Sequence, residues 1–136
     1  MSSTLQVVVV EESCLSRNVL VKALHQWGYP CLLTEDEDSA WSAVTNASAP
    51  CVLMVDWHAD FLDCEDLVRR IRRKASLRKL HILAAVPRGA LGAIRRSMEC
   101  GASDVVSRPY DLDEVRVRLH VACQLMRLKG NELKFD

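Results

Sequence analysis

The chain alternates between two hydrophobic periods. Residues 5–10 form an unbroken apolar run stopped by Glu11 and Glu12, the mark of a strand buried on both faces. From about 14 to 27 the period lengthens, with Leu20, Leu24 and Trp27 on one helical face and Gly28 as the stop. Residues 31–34 predict a short second strand. The acidic group at 35–38 then supplies a cap and a negative first turn for a helix through Ala40, Val44 and Ala47, and Pro50 closes the unit. Residues 51–55 are again continuously apolar and end at Asp56, before an aperiodic loop over 57–63.

A helix over 64–75 is expected to bury Leu67, Ile71 and Ala75, with Arg69, Arg70, Arg72, Arg73 and Lys74 covering its outer surface. Residues 80–86 predict a fourth strand, and Pro87, Arg88 and Gly89 turn the chain into a helix carrying Leu91, Ile94 and Met98, ended by Gly101. A brief fifth strand over 104–107 leads through Arg108 and Pro109 to a last helix over about 111–128, striped with Leu112, Val115, Leu119, Ala122 and Met126 and widened on its apolar face by Val117, Val121, Leu125 and Leu128.

Five strands, each followed by a helix, predict an α/β fold: a doubly wound five-stranded parallel sheet with right-handed crossovers and helices on both faces. A chain of 136 residues makes one domain, expected over 1–128, with a short tail over 129–136. Sheets of this kind hold their sites beyond the carboxyl ends of the strands, where the chain order reverses. Glu11, Glu12, Asp56, Val86 and Arg108 all fall at such ends.

Composition agrees with one core, at 49% hydrophobic and 26% charged residues. No apolar run is long enough for a membrane span, and the opening residues lack a secretory signal, so a cytoplasmic protein without membrane partners is expected. Six cysteines, at 14, 31, 51, 64, 100 and 123, include no CxxC pair and read as small hydrophobes rather than a redox or zinc set. His25, His81 and His120 lack metal-ligand spacing.

The net charge of zero conceals a division. Residues 1–66 hold 11 acidic and 2 basic side chains, whereas residues 67–136 hold 7 and 16. Two readings follow: an acidic pocket built by the first half facing a basic surface built by the second, or ordinary solvated helix faces.

Glu11, Glu12 and Asp56 gathered in one pocket would repel one another, and a hard divalent ion such as magnesium would relieve that repulsion. Such an ion can bridge a phosphoryl oxygen and leave Asp56 as the nucleophile, so phosphoryl transfer is the predicted chemistry. Rival chemistries fit less well. The first turn, Glu11-Glu12-Ser13-Cys14, offers acids where a nucleotide site needs glycines, and no GxxxxGK[ST] motif occurs. A phosphate hydrolase would need Asp60 as its acid. Arg69 to Lys74 with Arg78 and Lys79 could touch nucleic acid, but no interleaved aromatic platform accompanies them.

The acidic pair after the first strand, the aspartate ending the third strand 44 residues beyond Glu12, and the basic residue before a proline 52 residues beyond Asp56 occur in a telling order. In them the chain resembles the receiver domain of bacterial two-component response regulators over about residues 5–128, in an atypical, single-domain form. The resemblance implies the flavodoxin-like receiver fold. It implies Asp56 as phosphoacceptor for a sensor histidine kinase or phosphotransfer protein, and Glu11 and Glu12 as magnesium-binding acids together with the main-chain carbonyl of His58. Arg108 stands at the family's salt-bridging lysine, Val86 at its threonine or serine hydroxyl, and Val105 at its switching aromatic. His58 and Arg88 flank the site.

Each departure from the family has a physical meaning. Arginine keeps the lysine's charge but is a longer, planar fork. Val86 offers a phosphoryl group no hydrogen bond, Val105 has no ring to swing, Glu12 is longer than the usual aspartate, and Asp60 replaces a usual proline. Two functions are consistent with this pattern: a phosphorylated module with an altered readout, or a degenerate receiver that binds proteins independently of phosphorylation. The short chain leads to the expectation of output by contact with a downstream protein target, with a homodimer as a second candidate. Arg95, Arg96, Arg116, Arg118 and Arg127 are displayed on the last two helices.

Overall fold

The valine run forms strand β1 (Gln6–Val10) of a parallel sheet in the computed structural model, which describes residues 5–58 and 63–126. The chain continues through α1 (Cys14–Gln26), β2 (Cys31–Thr34), α2 (Glu37–Thr45), β3 (Cys51–Asp56), α3 (Cys64–Arg73), β4 (His81–Pro87), α4 (Leu91–Cys100), β5 (Asp104–Arg108) and α5 (Leu112–Leu125). The strand order is β2-β1-β3-β4-β5, all parallel, so the sheet is doubly wound as expected.

The period of two along each buried strand divides the core into two layers. Val8, Val10, Leu53, Val55, Ile82 and Ala84 face α2, α3 and α4, whereas Val7, Val9, Val52, Met54, Leu83 and Ala85 face α1 and α5. Local chemistry sets where the helices begin. Ser13, Asp36, Asp63 and Asp111 each cap a helix by accepting backbone N–H bonds from its first turn.

Four side-chain expectations are corrected. Ala75 is exposed, because α3 ends at Arg73 and a short 3-10 turn, Ala75–Leu77, buries Leu77 instead. Leu91 and Met98 are 74% and 45% exposed. The inward stripe of α4 is Ala93, Ile94, Ser97 and Cys100, and Ser97 is tolerated there because its hydroxyl donates to the Ile94 carbonyl at 2.8 Å. Leu125 at the end of α5 is likewise exposed.

Arg72 does not cover the surface. It turns inward, donating from Nε to the Gly101 carbonyl at 2.8 Å, from Nη1 to the carbonyls of Leu80, Arg78 and Leu77, and from Nη2 to Ser103 Oγ. The guanidinium thus ties the end of α3 to the entry of β4 and to the α4–β5 turn.

All six cysteines are free thiols; Cys51, Cys64, Cys100 and Cys123 are buried and Cys31 is half-buried, but Cys14 is exposed at the start of α1. Burial pushes Cys31 up to about 11, which suits a packing role. Among the described residues no helix is long and apolar enough to cross a membrane. Asp60, Arg127 and the expected tail lie outside the described residues.

Candidate functional site

The chain order reverses beside β1, which pairs with β2 on one side and β3 on the other. At that reversal the carboxyl ends of two strands expose their next side chains to a common space. Asp56 is the last residue of β3 and Glu11 the first beyond β1, and both are buried. Arg108, the last residue of β5, reaches across β4 to meet them.

The contact is a two-pronged one. Arg108 Nη2 lies 2.7 Å from Glu11 Oε1, and Nη1 lies 3.3 Å from Asp56 Oδ1. The two carboxylates keep side-chain exposures of 0% and 3%, and the guanidinium keeps 21%, so the group sits at the floor of the site with one edge toward solvent. Arg108 Nε is buried without a hydrogen-bond partner, and the guanidinium carbon lies 5.9 Å from the centre of the Tyr110 ring.

Backbone groups hold the rest. The N–H of His58 donates to Asp56 Oδ1 at 3.1 Å, and the N–H of Glu12 donates to Glu11 Oε2 at 3.1 Å. Cys64 Sγ donates to the Asp56 carbonyl at 3.2 Å, which pins the start of α3 to the end of β3. The N–H of Arg88 donates to the Arg108 carbonyl at 3.1 Å, joining the two loops after β4 and β5.

Burial, and then the neighbouring Asp56 carboxylate, push Glu11 up from 4.5 to about 7 against the opposing pull of Arg108. Burial also raises the Tyr110 phenol, helped by the Glu11 charge. The two acids thus crowd one another in a poorly solvated pocket, and among the described residues the cation that meets both is Arg108.

Of the residues expected at the site, the fold brings together Asp56, Glu11, Arg108 and the His58 backbone. The Glu12 side chain is exposed, as are His58 and Arg88. Val86 is buried at the end of β4, and Val105 is partly buried against the same core layer. Cavities flank the site among the described residues. One of about 200 Å³ is lined by Glu11, Glu12, Arg17, Thr34 and Glu35, and one of about 400 Å³ by Trp57, His58, Asp63, Cys64, Glu65, Ala93 and Arg96. Tyr110 was not foreseen as part of the site, and its only sequence signal is its place just after Arg108 and Pro109.

The donor set can be tested against magnesium. Hard divalent ions take several oxygen ligands, usually with carboxylates and waters. Among the described residues no group of three or more His, Cys, Asp or Glu side chains could hold a metal ion. Two acids do converge, but a guanidinium stands on both. As arranged, the guanidinium stands between the two acids, where a magnesium ion held by both would have to sit.

The charge division seen in the sequence is partly consumed inside the fold. Arg108 pairs with two of the first-half acids, Glu11 and Asp56, Arg72 serves backbone carbonyls, Arg70 stacks 4.0 Å over Trp41, and Arg69 and Arg96 both pair with Glu65. On α5, Arg116 lies 5.4 Å over Trp27 and Arg118 pairs with Asp104 at 3.6 Å.

Comparisons with known proteins bear on this geometry. The family model described as the response regulator receiver domain matches residues 7–120. The chain is 24% identical over 113 residues to the phosphate regulon transcriptional regulatory protein PhoB of Pseudomonas aeruginosa, covering 83% of this chain and 49% of that protein. It thus spans about half the length of the PhoB relatives it matches. It is 20% identical to the chemotaxis protein CheY1 of Helicobacter pylori, covering 86% of this chain and 95% of that one. Among solved structures, a response regulator from Chloroflexus aurantiacus superposes with a TM-score of 0.81 at 21% identity, covering 91% of this chain and 99% of that chain. The chemotaxis response regulator CheY4 of Vibrio cholerae superposes with a TM-score of 0.78 at 17% identity, covering 88% and 99%. With the fold, the strand-end aspartate and a family match over most of its length, the chain belongs to the response regulator receiver domains.

Proposed function

We propose that this receiver domain accepts a phosphoryl group on Asp56 from a sensor histidine kinase or phosphotransfer protein and signals by contact with a downstream protein. The observation that carries the reading is the setting of Asp56: a buried carboxylate at the end of β3, with Arg108 Nη1 at 3.3 Å and the His58 N–H at 3.1 Å on the same oxygen. In the transfer a carboxylate oxygen of Asp56 forms a bond to phosphorus while the donor's P–N bond breaks. The imidazole nitrogen keeps the electron pair and takes a proton from solvent. Arg108 and the His58 N–H are donors beside the oxygens on which negative charge collects.

Receiver domains generically use magnesium for phosphotransfer. Here the ion would have to meet Glu11 and Asp56 already bound to Arg108, so the reading assigns it no step. Output by contact draws support from the exposed Leu91 and Met98 on α4, an apolar surface suited to a protein target or a second copy.

A second function has its own observation. The Arg108 bridge already balances Asp56, and Val86 and Val105 supply neither a hydroxyl nor a ring to report a phosphoryl group, which favours a degenerate receiver that binds its target without phosphorylation. Intact-mass analysis separates the two. Wild type and Asp56→Asn are incubated with acetyl phosphate and with phosphoramidate, each with magnesium and with a chelator. A gain of one phosphoryl mass in wild type alone supports the first reading. No gain under any condition sinks it, and target binding unchanged in Asp56→Asn then supports the second.

A further inference from the structure

We infer that Arg108 is the resident cation of this site: its guanidinium occupies the space between Glu11 and Asp56, and a divalent ion binds there only when Arg108 leaves. The inference does not depend on whether Asp56 is phosphorylated. It rests on three features of the geometry.

The first is the division of the fork. Two nitrogens of one guanidinium serve two carboxylates, at 2.7 Å and 3.3 Å, and both acids are almost wholly withdrawn from water. Glu11 takes a charge-assisted hydrogen bond and Asp56 an ion pair from one planar group, and a compact ammonium does not span two acids in this way. The second is the way Arg108 is held. Its carbonyl accepts the Arg88 N–H, the adjoining Ser107 N–H donates to Glu114 Oε1 at 2.7 Å, and the Tyr110 ring lies beside the guanidinium, so backbone and ring both aim the side chain at the acids.

The third is the engagement of the other Glu11 oxygen. Glu12 is exposed while its own N–H donates to Glu11 Oε2, so that carboxylate oxygen is also engaged. A divalent ion entering the site would therefore have to displace the guanidinium from Glu11 and Asp56 and compete with a backbone donor for Glu11. It would also place a double positive charge against Arg108 at short range.

The lysine variant tests the fork apart from the charge. Arg108→Lys keeps one positive charge but has a single nitrogen, which can serve one carboxylate closely and leaves the other to the ion. Manganese(II) binding is measured by paramagnetic resonance of the free ion for wild type, Arg108→Lys, Arg108→Gln and the double variant Asp56→Asn/Arg108→Gln, with thermal melting as the fold control. Arg108→Lys and Arg108→Gln are expected to bind the ion at least about ten-fold more tightly than wild type, with the gain lost in the double variant. Wild-type binding as tight as that of Arg108→Lys overturns the inference. So does a cooperatively melting Arg108→Lys protein that binds no better than wild type.

Discussion

Arg108 and Glu11, 97 residues apart in the chain, are joined by a 2.7 Å charge-assisted hydrogen bond at the floor of the site. A pair this far from water is stabilising only while complete, because either partner alone is left as a poorly solvated charge. Removing the cation leaves Glu11 and Asp56 facing each other. Arg108→Ala is therefore expected to lower the unfolding free energy by about 3 kcal/mol, the low end for breaking a buried pair because one edge of the guanidinium keeps contact with solvent. Urea denaturation at neutral pH without metal checks this, and a loss below the error of the fit would mean the pair is effectively solvated.

The Arg72 clamp makes a second expectation. Its guanidinium serves four backbone carbonyls and a hydroxyl at the junction of α3, β4 and β5, a fork-shaped role that lysine cannot fill. Arg72→Ala should cost about 3 kcal/mol, on the scale of losing charged hydrogen bonds and leaving carbonyls unpaired. Arg72→Lys should recover less than half of that loss. Full recovery by lysine in thermal melts would show that charge alone matters.

Gly101 packs against the same clamp. Its φ of +125° is one that side chains rarely adopt, and a Cβ there would lie 2.7 Å from Arg72 Cγ. Gly101→Ala should destabilise the fold by about 1–3 kcal/mol through backbone strain and displacement of the clamp. In combination with Arg72→Ala the loss should be less than additive, which a double-mutant cycle measures directly.

His81 opens β4 as a buried histidine whose Nε2 has no hydrogen-bond partner. Burial lowers its pKa below the ordinary 6.5, Arg72 adds to the shift, and Asp104 opposes it. The unfolded chain therefore takes up this proton at a higher pH than the folded one. The contribution to stability is complete above about pH 6.5 and declines as the pH falls through that value toward the folded pKa. Wild type should lose stability relative to His81→Leu as denaturation is followed from pH 7.5 down to pH 5.5. A constant difference between the two proteins across that range would contradict the assignment.

Val86 lies in the apolar layer at the end of β4, where the family has a hydroxyl. Introducing one by Val86→Thr buries a polar group in a nearly isosteric side chain and should cost about 1–3 kcal/mol in the unmodified protein. Asp56 pairs in register with Ala85, the neighbour of Val86, so a phosphoryl group on Asp56 would offer the new hydroxyl an acceptor and the penalty should shrink in the phosphorylated protein. Melting temperatures before and after phosphodonor treatment give the comparison.

The sequence by itself determined the alternation of strands and helices, the parallel sheet and the strand-end positions of Asp56, Glu11 and Arg108. These follow from local periodicity and from the rule that such sheets gather their sites at carboxyl ends. Its limit shows at α4, where Leu91 and Met98 look like the buried stripe and Ser97 does not, yet the helix faces the sheet with Ser97. Hydrophobicity does not report that a hydroxyl can satisfy itself on a carbonyl of its own helix. Arg72 looked like one more surface cation among its neighbours for the same reason: the carbonyls that receive it come from segments up to 29 residues away. Glu11 and Glu12 were alike on paper, and only the exit path from β1 buried the first and exposed the second. Which cation meets the buried acids was likewise a tertiary matter, decided where the ends of β1, β3 and β5 converge and a planar fork spans two carboxylates at once.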